Sequence, residues 1–437
     1  MTKRIIIIVV LALLAGGAGW QWLRPVQGAH VLPAPRRAVD EVWRGADSCA
    51  AAACHGGPQG AGKGSEYTTW AASDPHARAY QVLFDARSRA IVKNLFDLPS
   101  LKDARPEKTA LCLQCHVAPS EARMPARFHM DGVSCESCHG PAGGWLTQHY
   151  RPAWQALTAE QKSAAGFRQT KDLPTRIHDC VACHVGAPGT EVNHDLLAAG
   201  HPRLNFEFAS YQSILPKHWR RADDLKRYPD FEARSWALGQ AASAKAAIDV
   251  LADRARRADS PWPEFADNDC YRCHQDLRPG VRTQTAPLPP AALRWNDWYY
   301  DELPTVLALG RPVDPAADLA VLQGELARSR PRRDVIGPAA TRLSAQLGDW
   351  LAQPLPTLAP AQVRSLLEDR TAALTKDAGA DWDRAAQDYL AAAALHHAVK
   401  DYDPHFADPA LLTLLRQRRQ ELAFPAGVRS PRLKEAP

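Results

Sequence analysis

The sequence is short of methionine and carries no strong charge of either sign. It has 437 residues but only 3 Met, which are Met1, Met124 and Met130. Lys and Arg together number 53 and Asp and Glu 48, so the formal net charge is +5. An excess this small over such a length gives no support for nucleic-acid binding. Hydrophobic residues make up 46% of the chain, which is ordinary for a globular protein with a sizeable core.

Long hydrophobic runs are also lacking, with one exception at the N-terminus. Residues 5–20 form an apolar run behind a short basic start, which is typical of an export signal. The run is near the lower limit for a membrane-spanning helix, about 17 residues. We favour an uncleaved anchor over residues 1–23, and the small residues 15–19 leave a cleaved signal peptide open. Both alternatives place the body of the protein on the periplasmic side of the cytoplasmic membrane.

Strand signals are scarce as well, because the chain shows little alternation of apolar and polar residues. Residues 24–48 are rich in Pro and small residues and predict a tether. Residues 49–290 predict a loop-rich domain with short helices, such as 79–95, and one long helix over 232–257. Residues 291–437 lack cysteine and predict amphipathic helices packed on the preceding domain, with a frayed tail from about residue 429. The expected fold class is therefore mainly α.

All 10 cysteines occur in close pairs, and each pair is followed at once by a histidine. We name these groups motifs 1 to 5 in chain order. Their residues are Cys49, Cys54 and His55 (motif 1), Cys112, Cys115 and His116 (motif 2), Cys135, Cys138 and His139 (motif 3), Cys180, Cys183 and His184 (motif 4), and Cys270, Cys273 and His274 (motif 5). Motifs 2 to 5 have the spacing C-x-x-C-H, and motif 1 has four residues between its cysteines.

The spacing C-x-x-C-H is that of a c-type haem attachment site. Two thiols bond the two vinyl groups of one porphyrin, and the histidine that follows lies beneath the iron as an axial ligand. Structural zinc is the alternative, because C-x-x-C pairs also bind Zn²⁺. Zinc sites would consume the motifs two at a time, and five motifs do not divide evenly. We therefore expect five covalently bound haem c groups, around which residues 49–290 wrap.

Each haem iron has a second axial position, which His or Met normally fills. Because the chain has so few Met, most of these distal ligands must be His. Eleven histidines lie outside the motifs, namely His30, His76, His129, His149, His178, His194, His201, His218, His396, His397 and His405. The five that we predict as distal ligands are His76, His129, His149, His194 and His201, with His178 in reserve. For His396 and His397, which lie on a predicted helix, we favour a packing role.

Three stretches of the chain resemble a known family. Residues 131–141, 193–204 and 262–274 are similar to multihaem c-type cytochromes related to the tetrahaem electron carrier of ammonia oxidation, in the hydroxylamine-oxidoreductase-like superfamily. The resemblance implies closely stacked haem pairs, mostly bis-histidine ligation and a role in electron transfer. The chain departs from the nitrite reductases of this superfamily because it has no C-x-x-C-K motif. It departs from the hydroxylamine oxidoreductases because those have more haems.

Two functions remain open. The one we favour is a non-enzymatic electron relay, without catalytic residues, between a membrane quinol-linked donor and a periplasmic acceptor. The alternative is a multihaem oxidoreductase that acts on a small nitrogen or sulfur species at a five-coordinate haem. A relay needs every iron low-spin, whereas an enzyme needs an open coordination position beside acid–base groups. The partners expected are redox proteins and the membrane, the latter through the N-terminal segment.

Overall fold

The computed structural model describes residues 42–60, 63–118, 124–274, 293–376 and 382–422. Within these ranges the chain is mainly helical, as expected, and has two isolated β-bridges but no β-strand. No helix within them is long and apolar enough to cross a membrane. The predicted N-terminal anchor, most of the tether and the predicted frayed tail lie outside the described residues.

Residues 42–230, which we call the motif region, carry motif 1 on two successive turns and motifs 2 to 4 on short helices. These helices are α1 (Glu66–Ser73), α2 (Ala86–Leu95), α3 (Ala110–His116), α4 (Cys135–His139), α5 (Pro152–Gln155), α6 (Ala159–Ala164), α7 (Leu173–His184), α8 (His194–Ala198), α9 (Phe208–Ile214) and α10 (Arg221–Arg227). Single turns of 3₁₀ helix occur between them, at Ala46–Cys49, Pro75–Arg78, Gln81–Phe84, Pro106–Lys108, Ala126–Asp131 and Ala142–Gly144. The helix predicted over 79–95 is divided into a 3₁₀ turn and α2, because Asp85 between them has an extended backbone.

Longer helices follow the motif region. They are α11 (Phe231–Arg256), α12 (Cys270–Cys273), α13 (Leu303–Leu307), α14 (Ala316–Leu326), α15 (Arg333–Leu351), α16 (Pro360–Lys376), α17 (Trp382–Tyr402) and α18 (Pro409–Leu422), with a 3₁₀ turn at Phe265–Asp267. The observed bounds of α11 differ by one residue from those predicted. We call α11 and α13 to α18 the helical region.

The main hydrophobic core is built around α11, which packs against α15 and α17 and also contacts α7 and α9 of the motif region. Trp236, Ala244 and Ile248 recur at helical spacing on α11 and are fully buried. Leu343 and Leu347 of α15 belong to the same core. The core therefore joins the two regions, and the predicted domain boundary near residue 290 falls in a segment outside the described residues.

Ion pairs also connect the two regions. The guanidinium of Arg203, between α8 and α9, lies 3.1 Å from Asp383 of α17. Arg221 of α10 lies 2.6 Å from Asp401 at the other end of the same helix. Because both acceptor carboxylates belong to α17, that helix is fixed against the motif region at two points.

Candidate functional site

One large cavity lies within the motif region. Its volume is about 1780 Å³, whereas a pocket for a single drug-sized ligand has about 300–1,000 Å³. The cysteines and histidines of motifs 1 to 4 all line it, and so do four further histidines, His76, His149, His201 and His218. The cavity therefore has room for more than one large ligand and presents the thiols and imidazoles of four motifs to it.

Helical geometry makes the three functional side chains within each of motifs 2 to 5 point in the same direction. Residues i, i+3 and i+4 share one face of an α-helix, so both thiols and the histidine of a C-x-x-C-H sequence point the same way. Helices α3, α4 and α7 end on the histidines of motifs 2, 3 and 4. In motif 5, α12 ends at Cys273, directly before His274.

Local sequence features explain where two of these helices begin and end. Helix α7 begins after Asp172, whose carboxylate accepts the N–H of Thr175 at 3.1 Å as an N-cap. Helix α4 is followed directly by Gly140, whose φ is +83°. A Cβ at Gly140 would lie 2.1 Å from the carbonyl oxygen of Gly166. Only glycine satisfies both the backbone angle and this close approach.

Motif 1 reaches the cavity by a different route. Cys49 ends a 3₁₀ turn, and the N–H of Cys54 donates to the carbonyl of Ala51 at 2.8 Å. The intervening residues therefore form a turn, and both thiols and His55 still line the cavity. Motif 1 therefore lines the same cavity as motifs 2 to 4, although its cysteines are further apart in the sequence.

The motif histidines face other histidines across the cavity or at its side. The ring centres are 6.0 Å apart for His55 and His149 and 6.0 Å apart for His184 and His76. They are 6.4 Å apart for His139 and His218 and 6.4 Å apart for His274 and His194. Two imidazoles on opposite sides of one metal ion, each bound at about 2 Å, have ring centres about 6 Å apart. The four spacings therefore suit an iron between each pair.

The fifth pair consists of His116 and His201. The two side chains are close enough to interact electrostatically, and both line the cavity. Burial is the main cause that lowers the pKa of each imidazole below its usual value. A neutral imidazole is the form that binds a metal. Four motif histidines thus have a second histidine ring within 6.4 Å, and His116 has His201 within electrostatic range.

Hydrogen bonds fix the tautomer of several of these histidines. The Nδ1 atoms of His116, His149 and His201 donate to the backbone carbonyls of Ala79, Leu146 and Pro202 at 2.7, 2.7 and 2.8 Å. Because a carbonyl can only accept, Nδ1 carries the proton in each ring. Nε2 therefore keeps a free lone pair, which is the arrangement found in metal-binding histidines.

His129 is the one predicted distal ligand that the structure does not bring to a motif histidine. Its ring lies 5.6 Å from that of Tyr80, and its Nε2 is 3.3 Å from the carbonyl of Met124. Its Nε2 therefore carries the proton, which is the opposite tautomer. His218, which we did not predict, occupies the place opposite His139. The reserve candidate His178 is exposed at the surface.

Nothing near His218 in the sequence distinguishes it from the other histidines outside the motifs. It lies between α9 and α10, far along the chain from His139. Its Nδ1 is buried and has no hydrogen-bond partner among the described residues. Burial, and then the nearby His218 and Arg168, lower the pKa of His139 to about 4. The pair is therefore neutral at physiological pH.

Two contacts between thiols show which motifs are neighbours. The thiol of Cys49 in motif 1 is within hydrogen-bonding reach of Cys135 in motif 3. The thiol of Cys115 in motif 2 is within reach of Cys183 in motif 4. Cys138 of motif 3 interacts electrostatically with motif 4. The motifs are therefore arranged in the order 1, 3, 4, 2.

The buried carboxylate of Glu136, between the cysteines of motif 3, is a further residue that the sequence did not single out. It accepts the backbone N–H groups of Arg44, Gly45 and Ala142 at 3.0, 2.7 and 2.6 Å. The segment before motif 1 is thereby attached to motif 3. This attachment holds the two motifs whose thiols are in contact.

Two groups outside the cavity are accounted for by packing and ion pairing. His396 is buried on α17, where burial lowers its pKa to about 4, as expected for a packed histidine. Asp301, Glu302 and Asp388 lie close enough together to bind a metal ion. Two arginines already pair with these carboxylates: Arg370 lies 3.0 Å from Glu302 and 3.4 Å from Asp388, and Arg384 lies 2.8 Å from Asp301.

Haem c fits these residues. Five motifs supply two thiols and one imidazole each. Four of the neighbouring histidines are suited to bind a metal, His76, His149 and His201 because their Nδ1 is hydrogen-bonded to an oxygen, and His218 because burial lowers its pKa. Residues 48–140 match the family model described as cytochrome c554 and c-prime. The match supports a multihaem c-type cytochrome. It spans motifs 1 to 3, and the family binds haem c covalently and carries electrons. No curated protein and no solved structure significantly matches the chain.

Proposed function

We propose that the protein is a pentahaem c-type cytochrome that relays electrons without an enzymatic site of its own. The observation that carries the proposal is the presence of a histidine next to each motif histidine. With both axial positions filled, an iron has no open position for a substrate. Haem bound in this way supplies a one-electron Fe(III)/Fe(II) couple, and the chain supplies its attachment points and ligands.

The ligand assignment that we propose takes each motif histidine with its neighbour. The pairs are His55 with His149, His116 with His201, His139 with His218, His184 with His76, and His274 with His194. Thiol contacts give the order of attachment points as motifs 1, 3, 4 and 2. His194 is the first residue of α8 and His201 lies just after the turn that ends this helix, so motif 5 is connected through this segment to motif 2.

The cellular setting is also a proposal. We infer that residues 1–23 anchor the protein on the periplasmic side of the cytoplasmic membrane. A quinol-linked membrane protein would then be the donor, and a periplasmic redox protein the acceptor. Fractionation tests this part: we expect the protein in the membrane fraction with residues 1–23 intact. A soluble periplasmic protein with a new N-terminus near residue 20 would contradict it.

Replacing His218 by Ala in the holoprotein tests the ligand assignment. We expect one haem to change from low-spin to high-spin and to bind cyanide, while all five haems stay attached, because a distal ligand has no role in thioether formation. The matched control is His129→Ala, for which we expect an unchanged spectrum. High-spin haem in the control and not in His218→Ala would show that His129 is the ligand.

The oxidoreductase remains the alternative, and kinetics separate it from the relay. We expect the reduced holoprotein to be reoxidised quickly by a partner cytochrome and slowly by nitrite, hydroxylamine or tetrathionate. Steady turnover of one of these small molecules, abolished by cyanide, would overturn the relay in favour of the enzyme.

A further inference from the structure

The histidines of the cavity differ in what their Nδ1 atoms contact. Nδ1 of His55 in motif 1 lies 2.9 Å from a carboxylate oxygen of Glu66. Nδ1 of His76, the neighbour of motif 4, lies 2.9 Å from a carboxylate oxygen of Asp74. In the pair at motif 2, both Nδ1 atoms instead donate to neutral backbone carbonyls. Motifs 1 and 4 are thus distinguished from motif 2 by an anionic acceptor.

One short helix supplies both carboxylates. Glu66 is the first residue of α1, and Asp74 is the residue that directly follows its end. Glu66 also accepts the N–H of Gly64 at 2.9 Å, and Asp74 accepts the N–H of His76 at 3.0 Å. The indole N–H of Trp70, in the middle of α1, donates to the carbonyl of Val133 beside motif 3. The two carboxylates are therefore held in place by backbone contacts and not only by the imidazoles.

The two sites differ in their exposure to water. The side chain of Asp74 is 5% exposed, whereas that of Glu66 is 24% exposed. Charge interactions are screened less where water is excluded. The effect of Asp74 on its histidine should therefore be the larger of the two.

We propose that Glu66 and Asp74 are positioning residues that lower the reduction potentials of the haems at motifs 1 and 4 relative to the haem at motif 2. The inference rests on the proposed function, because it takes His55 and His76 as iron ligands. A carboxylate that accepts the Nδ1 proton makes the imidazole a more basic ligand. A more electron-rich axial ligand stabilises Fe(III) relative to Fe(II). One electron enters the iron on reduction, and the Nδ1 proton stays on the imidazole.

This arrangement would give the haems at different motifs different reduction potentials. In the order of motifs 1, 3, 4 and 2, a carboxylate-bonded histidine occurs at the first and third positions and a carbonyl-bonded pair at the last. Electrons would be held less strongly at motifs 1 and 4 than at motif 2. Helix α1 would set two of these potentials at once.

The test is a redox titration of the holoprotein carrying Asp74→Asn or Glu66→Gln. Optical and electron paramagnetic resonance spectra monitor the titration. Each amide keeps an oxygen that can accept the Nδ1–H bond but loses the negative charge. We expect the largest upward shift in midpoint potential at the haem whose histidine contacts the replaced carboxylate. For Asp74→Asn this shift is about a tenfold change in the reduced-to-oxidised ratio of that haem, which is about 59 mV for one electron. The shift for Glu66→Gln should be smaller, and the double variant should show both.

Asp223→Asn is the matched control. Asp223 also lines the cavity, but its carboxylate is bonded to the exposed Arg220. An equal shift in this control would overturn the proposal, because any loss of negative charge near the cavity would then suffice. Unchanged potentials in Asp74→Asn and Glu66→Gln with all haems low-spin would also overturn it, while leaving the proposed function intact. A high-spin haem at motif 1 or motif 4 in the unsubstituted protein would instead overturn the ligand assignment of the proposed function.

Discussion

The interiors of the motif region and the helical region are built in different ways. In the helical region, α11 and its neighbours bury a continuous set of large side chains that includes Trp236, Leu343 and Leu347. In the motif region the local apolar clusters are small, such as Trp43 with Val117 and Ala118, or Ile91 with Leu196 and Ala199. The space between these small clusters is the cavity. The helical region therefore has a core of its own side chains, whereas the interior of the motif region is a cavity that a cofactor would fill.

Helix α7 contributes to both the main core and the cavity. Leu173, Ile177 and Val181 recur at a spacing of four and are buried in the main core. Cys180, Cys183 and His184 of the same helix line the cavity. The amphipathic pattern of α7 therefore has a protein face and a cofactor face instead of a protein face and a solvent face.

Removing the haems should have the largest effect and should separate the two regions. We expect the chain produced without haem attachment to lose the fold of the motif region, since close-packed interiors do not keep cavities this large. The helical region should retain its helices, because most side chains of the main core belong to that region. Limited proteolysis with mass-spectrometric mapping is the measurement, and the cuts should fall within residues 42–230. Equal protection of both regions would contradict this difference.

A cavity-forming substitution in the helical region should have the next largest effect. Leu343 of α15 is fully buried, and we expect Leu343→Ala to lower the free energy of unfolding by about 2–5 kcal/mol. The haem spectrum of the folded protein should be unchanged, because Leu343 is not part of the cavity lining. Chemical denaturation followed by circular dichroism and haem absorbance measures both.

Val321→Ala is the control for this substitution. Val321 lies on the neighbouring helix α14 and is 38% exposed. We expect its replacement to change the free energy of unfolding by no more than about 0.5 kcal/mol. A loss as large as that of Leu343→Ala would show that burial in the core does not account for the effect.

Weakening the attachment between motifs 1 and 3 should have a smaller effect, confined to the motif region. Glu136→Gln replaces one acceptor oxygen by an N–H₂ group among three backbone N–H donors. We expect a loss of about 1–3 kcal/mol in the free energy of unfolding. Glu421→Gln is the control, since the exposed Glu421 pairs with Arg418, and ion pairs at the surface contribute about 0–1 kcal/mol. Equal midpoints for the two variants in a denaturation series would contradict the role of Glu136.

How much the sequence could predict differs between the same two regions. Helix α11 and the buried faces of α15 to α17 follow from local periodicity, because a helix places residues three and four apart on one face. The cysteines and adjacent histidines of the motifs are equally local. Their position on the cavity wall follows from the helical spacing of C-x-x-C-H.

The partners of the motif histidines could be predicted only in part. His149 follows motif 3 after a glycine-rich turn, and His76 and His201 lie beside Pro and Gly residues that mark turns. His129 and His218 were not distinguishable in this way, because the choice depends on which backbone carbonyl meets which ring nitrogen. That information is set by tertiary contacts between distant segments and not by spacing along the chain.

The central claim is that each of five motif histidines shares a haem iron with a second histidine. The near-infrared magnetic circular dichroism spectrum of the fully oxidised holoprotein, normalised to its haem content by intact mass, tests it most directly. The account predicts five haem c groups per chain, all low-spin with two histidine ligands. Fewer than five haems, a methionine-ligated haem or a high-spin haem in the unsubstituted protein would contradict it.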